Sequence, residues 1–153
     1  MTAFNPETLR WPAAYAEATI AAPREQVWAI LTDFAAYDTW NPFTYAVEMP
    51  RFAVGEEFAF TTRMKSSERF QREIITVIDP PDCLAWAYAR NSIFLSAVRY
   101  QQLTATANGG THYQTWEQFN GLIAPLIGWT VLGAVQAGFD DVAAALKASA
   151  ETG

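Results

Sequence analysis

Histidine and cysteine are almost missing from this 153-residue chain, which has one of each, His112 and Cys83. A lone thiol cannot close a disulfide within the chain, so nothing points to an oxidising compartment, and Cys83 reads as a small apolar residue. One imidazole and one distant thiol leave no transition-metal donor set beyond scattered carboxylates, and neither a metal nor another cofactor is expected. There is no Gly-x-Ser-x-Gly elbow, phosphate loop or dinucleotide fingerprint; Gly109-Gly110 reads as a hairpin turn, with His112 as a surface imidazole just after it. Basic residues are also scarce. Ten Lys and Arg stand against sixteen Asp and Glu, for a net charge of -6, which excludes a nucleic-acid surface. The opening residues MTAFNPETLRW lack a basic region followed by an apolar core, so no signal peptide is read and a cytoplasmic location is expected.

Charge is missing altogether from Phe119 to Phe139. A membrane span needs about 20 continuous apolar residues with basic anchors at its ends. Here Asn120, Gly121 and Pro125 interrupt the start, Gln136 interrupts the end, and Asp140 and Asp141 follow. The run therefore reads as the end of a strand, a turn and a buried helix, with no stable membrane insertion. Aromatic residues are plentiful at 14%. They fit either an aromatic-rich core or the wall of a ligand cavity.

No repeat or linker divides the sequence, which is read as one domain over 1–153 with an ordered unit from 12 to 148 and fraying ends. A first strand spans 13–21. Pro23 opens a helix whose apolar face holds Val27, Trp28, Ile30 and Leu31, and Asp33 caps a second short helix that ends at Trp40-Asn41-Pro42. The period then changes to two, giving strands near 43–49, 56–65, 69–79, 83–90, 95–107 and 111–120. One long helix from Ala124 to Ala150 closes the chain, with Leu132, Val135, Phe139, Val142 and Leu146 on one stripe.

A three-residue turn at Asn108, Gly109 and Gly110 would set Ala107 opposite Thr111, Gln101 opposite Glu117 and Arg99 opposite Phe119. Odd-numbered positions then share the inner face, with Leu103, Tyr113 and Phe119. Gln102, Thr104, Gln114 and Gln118 lie outside, where Tyr100 and Trp116 count against the assignment.

Four segments carry a family likeness: TIAAPREQVWAILTDFAAYDTWNPF, the Gly55 link, PPDCLAW and GGTHYQTWEQFNGLIAPL. Together they resemble the SRPBCC (START/Bet v 1-like) superfamily, in particular bacterial polyketide cyclase/dehydrase-like members, over nearly the whole chain. The most specific pieces are Trp40-Asn41-Pro42-Phe43 and Glu117-x-Phe119-x-Gly121. The resemblance implies an α+β helix-grip fold: a curved seven-stranded antiparallel sheet wrapped around a long C-terminal helix, with two short helices after the first strand and a ligand cavity between sheet and helix. Many relatives carry an Asn where Ala143 stands, so any role of that Asn is absent. Fold-level likeness does not choose a reaction.

Glu117 falls on the inner face among apolar groups, where an ionised carboxylate needs a partner or a raised pKa. Arg99, diagonally across, is its expected partner, and the pair could hold a polar ligand head or serve proton transfer. It reads equally as a structural ion pair. Tyr88 adds a hydroxyl beside Trp86, and Glu73 faces the same cavity if Ile75 does. Phe58 and Phe60 form a one-sided aromatic row, and Gln101, Tyr113 and Phe119 share the inner face. Trp40, Asn41 and Phe43 on one side and Leu126, Trp129 and Gly133 on the other are expected to roof the mouth.

The leading expectation is a binder of a small hydrophobic, aromatic or polyketide-like, molecule. The alternative is a cofactor-independent cyclase, dehydratase or isomerase using Glu117 with Arg99 or Tyr88. A third reading makes the Trp116–Tyr100 face a homodimer or partner contact.

Overall fold

Strand alternation and one long apolar stripe together set the architecture. The computed structural model describes residues 2–153. Its elements are β1 (Ala13–Ile20), α1 (Arg24–Thr32), a 3-10 turn at Phe34–Ala36 leading into α2 (Tyr37–Trp40), β2 (Thr44–Glu48), β3 (Glu57–Met64), β4 (Ser67–Asp79), β5 (Cys83–Tyr88), β6 (Ser96–Ala105), β7 (Thr111–Asn120), α3 (Ala124–Thr130) and α4 (Leu132–Thr152). The seven strands form one antiparallel sheet in the order β1-β7-β6-β5-β4-β3-β2. This is the helix-grip fold, with α4 against the concave face of the sheet.

The predicted stripe explains the seat of α4. Val135, Phe139, Val142, Ala143, Leu146 and Ala150 are buried on it, whereas Asp140 and Asp141 stay exposed. Gln136, the polar interruption of the charge-free run, fastens the helix to the edge strand β1: Tyr15 N donates to its Oε1 at 3.0 Å and its Nε2 donates to Tyr15 O at 2.6 Å. An edge strand would otherwise leave those backbone groups unpaired.

Three expectations about turns and helices are corrected. Pairing between β6 and β7 is displaced by two residues, so Ala105 faces Thr111 and Arg99 faces Glu117. The cause is a longer turn, in which Thr106 N bonds Gly110 O and Gly109 N bonds Thr106 O. A two-residue shift preserves parity, and the odd-numbered face remains the inner one. The single terminal helix is two helices, broken at Val131 beside the β-branched Thr130. Asp33 precedes the turn after α1 but makes no capping bond with its side chain.

The N-terminal residues do not fray but cross the outer face of the sheet. Phe4 N donates to Gln114 Oε1 and accepts through its carbonyl from Gln114 Nε2, at 2.8 and 2.9 Å, and Arg10 N donates to Gln118 Oε1 at 2.7 Å. The Phe4 ring stacks on Trp116 with centroids 3.7 Å apart, and Trp116 stacks on Tyr100. Phe4 thus lies over part of the Trp116–Tyr100 face expected to form a homodimer or partner contact. Among the described residues no helix is long and apolar enough to cross a membrane.

Candidate functional site

Directly opposed residues build the site across four strands. Ile75 pairs with Trp86, Trp86 with Arg99 and Arg99 with Glu117, while Glu73 pairs with Tyr88 in a neighbouring row. All point to the concave face. Glu73 and Ile75 share that face by the two-residue strand period, and a bulge in β4 between Ile75 and Val77 changes the register beyond them.

Above these rows lies a cavity of about 600 Å³ between the sheet, α3 and α4. Its depth is walled by Phe43, Phe60, Trp86, Phe119, Val135 and Phe139, and Ile127 and Val131 close it from the helix side. Exposed Arg69, Phe70, Arg72 and Arg90 bound its outer part. The volume falls in the range of small-molecule sites.

The polar groups in this apolar enclosure are unusual in charge state. Arg99 is 5% exposed. Its Nε donates to Thr115 Oγ1 at 3.1 Å, its Nη2 is buried without a partner, and its guanidinium carbon lies 4.2 Å from the Phe139 ring centroid and 5.7 Å from that of Trp86. Contact with two aromatic faces offsets part of the desolvation of the cation. No salt bridge joins Arg99 to Glu117 or Glu73 within 4.0 Å among the described residues, which corrects the expected ion pair.

Both carboxyls are accordingly pushed toward their neutral forms. Burial first and the Glu117 charge second raise Glu73 to about 9, with Arg99 opposing. Burial raises Glu117 to about 7, again against the pull of Arg99. Glu117 keeps partial access, and it borders the cavity; the crowding of protein atoms around it, rather than complete closure, drives its shift. Near neutrality the site holds a protonated Glu73, a Glu117 poised to exchange its proton and a fixed cation.

Glu117, Arg99, Tyr88, Phe43, Phe60, Glu73, Trp86 and Phe119 all line the cavity. The other candidate positions lie elsewhere. Phe58 sits behind Phe60 and Trp86, in contact with Phe34. Gln101 and Tyr113 are buried and bonded to each other, the Tyr113 hydroxyl donating to Gln101 Oε1 at 2.8 Å. Asn41 shapes the turn into β2, its Oδ1 accepting from Phe43 N and Thr44 N. Trp40 packs edge-on against Tyr37.

The expected roof is rotated. Ile127 faces the cavity, whereas Leu126 and Trp129 are 54% and 77% exposed. Gly133 is exposed with open space beside it. Arg69, Gln71, Val131 and Val135 were not among the candidate site residues. Parity from Glu73 would have found Arg69 and Gln71, since Phe60 pairs with Gln71 and Thr62 with Arg69.

No group of three or more His, Cys, Asp and Glu side chains converges among the described residues as a metal site would.

Residues 13–151 match the model of the family described as polyketide cyclase / dehydrase and lipid transport. No curated protein matches the sequence. Among solved structures, a hypothetical protein of Helicobacter pylori is 17% identical with a TM-score of 0.74, the match covering 98% of this chain and 99% of that one. The Zhui aromatase/cyclase of a Streptomyces species is 15% identical with a TM-score of 0.75, over 91% and 93% of the two chains. A START superfamily protein of Mycobacterium smegmatis is 15% identical with a TM-score of 0.74, over 92% and 97%. At these identities the likeness is one of fold.

Proposed function

Since this chain belongs to the polyketide cyclase/dehydrase and lipid-transport family, we propose that it binds one small hydrophobic molecule, aromatic or polyketide-like, in the cavity between its sheet and its C-terminal helices. The observation that carries this reading is the cavity of about 600 Å³, its depth walled by five aromatic rings, Phe43, Phe60, Trp86, Phe119 and Phe139. Flat rings against flat walls give large apolar contact with few rotatable bonds to freeze. A cytoplasmic setting, inferred from the lone Cys83, belongs to the same proposal.

Native mass spectrometry of freshly purified protein, followed by titration with 1-aminoanthracene, tests it. One retained or added molecule per chain is expected. Ala97→Trp, which would push an indole into the cavity, should abolish binding. Binding unaffected by Ala97→Trp, or none at all, overturns the reading.

A second reading, proton-transfer catalysis on the bound molecule, is favoured by the two carboxyls. A carboxylate that titrates near pH 7 can remove a proton from carbon beside a ligand carbonyl, with Arg99 steadying the enolate oxygen. Protonated Glu73, opposite Tyr88, could return a proton to a departing hydroxyl, so that water leaves and charge balances. A carrier tolerates Glu117→Gln in full, whereas a catalyst keeps its affinity and loses turnover.

A further inference from the structure

We infer that the cavity selects an organic anion, an aromatic molecule bearing a carboxylate that docks on Arg99. The inference rests on the hydrophobic-ligand reading above and adds the charge of the ligand.

The argument begins with the distribution of charge. The chain has only ten basic residues and a net charge of -6. Four of the ten, Arg69, Arg72, Arg90 and Arg99, line this one cavity, against two acids, Glu73 and Glu117. Of the four, Arg72 is engaged by Glu57. Arg69, Arg90 and Arg99 have no ion-pair partner among the described residues.

Arg99 is the decisive case. A guanidinium is never neutralised by losing its proton, so burial leaves it needing a counter-charge. The protein supplies a hydroxyl to Nε, two aromatic faces and nothing to Nη2. The groups around it are Glu117 and Tyr113 from β7, Glu73 from β4 and Tyr37 from α2, and each is held toward its protonated form by burial. A ligand carboxylate reaching the cavity side of the guanidinium would supply the missing counter-charge through a charge-assisted bond. The apolar rings beside it would take the body of the molecule, and Arg69 and Arg90 would attract the anion to the entrance.

Docking an anion on Arg99 removes the attraction that keeps Glu117 partly ionised. Binding should therefore draw a proton onto Glu117 near pH 7.

Calorimetric titration with 2-naphthoate and anthracene-2-carboxylate, each beside its neutral primary amide, decides the matter. The acids are expected to bind at least tenfold more tightly than the amides, with net proton uptake measured from the dependence of the heat on buffer ionisation. Arg99→Gln should abolish the tenfold preference of acid over amide. If acid and amide bind alike, or if binding of the acids releases protons, the anion inference fails and the hydrophobic-ligand reading stands. If none of the four compounds binds, both fail. Should Arg99→Gln not fold, the comparison of acid with amide in the native chain carries the test alone.

Discussion

Arg99 and Glu117 stand directly opposite each other on β6 and β7, yet no salt bridge joins them. The cation turns instead toward Phe139 and Thr115. Because Arg99 is the one influence lowering the Glu117 pKa, its removal has a signed consequence. In Arg99→Met, Glu117 should titrate above about 7, as followed by its side-chain carboxyl chemical shift. Taking a cation out of water costs roughly several kcal/mol, and no salt-bridge partner repays that cost at Arg99. The melting temperature should thus hold or rise; a lower Glu117 pKa would contradict this electrostatic picture.

Stability should decline with rising pH, contrary to the usual behaviour of carboxylates. Glu73 and Glu117 bind protons more tightly in the folded chain, at about 9 and about 7, than their ordinary value of 4.5. Below 4.5 both states are protonated and the contribution is complete. Between 4.5 and the folded values the unfolded chain has released protons that the folded chain retains, so stability falls by at most about 1.4 kcal/mol per pH unit for each proton. Melting curves from pH 5 to 9 should show this fall, and Glu73→Gln should flatten it, most visibly between pH 7 and 9. Parallel profiles for the two proteins would refute the assignment.

Parity survived what register did not, and this explains how much of the site was legible. Alternation places Arg99 with Leu103 on β6 and Tyr113 with Glu117 on β7, and the two pairs stay on one face because the register differs from the expected one by two residues. The turn itself was obscured since Thr106 and Ala107 continue the strand period up to Asn108 with nothing local to stop it. The break at Val131 leaves no mark in a pattern read at helical spacing. Nor could Gln114 and Gln118 announce their partners, which are backbone groups 110 and 108 residues away. The orphaned Nη2 of Arg99 depends on which side chains crowd it in three dimensions. Alternation supplied the inner face; long-range packing decided its chemistry.

The N-terminal segment should be energetically joined to the sheet through Phe4 and Trp116. Their rings are stacked at 3.7 Å with 6° between planes. Such aromatic pairs are worth about 0.5–1.5 kcal/mol beyond buried area. A double-mutant cycle of Phe4→Ala and Trp116→Ala, read by urea denaturation, should return a coupling energy in that range. Additive effects would mean that the segment rests on the sheet without contributing to it.

Two glycines of α4 make opposite predictions for the same substitution. A Cβ on Gly138 would lie 2.2 Å from Cδ2 of Phe43, a buried ring that also packs edge-on to Phe139 in the cavity wall. Phe43 cannot withdraw without disturbing both the core and the cavity. Gly138→Ala should therefore destabilise by roughly 1–3 kcal/mol, as overpacking does, and weaken ligand binding. Gly133 has nothing within 4 Å of the same position, and its φ is not in the left-handed region. Gly133→Ala should stabilise the chain by about 0.5–1 kcal/mol through the unfolded state, with ligand affinity unchanged. Denaturation and binding measured on both variants separate the two cases. A loss of affinity in Gly133→Ala would place that residue at the ligand after all, whereas a neutral Gly138→Ala would show that Phe43 is free to move.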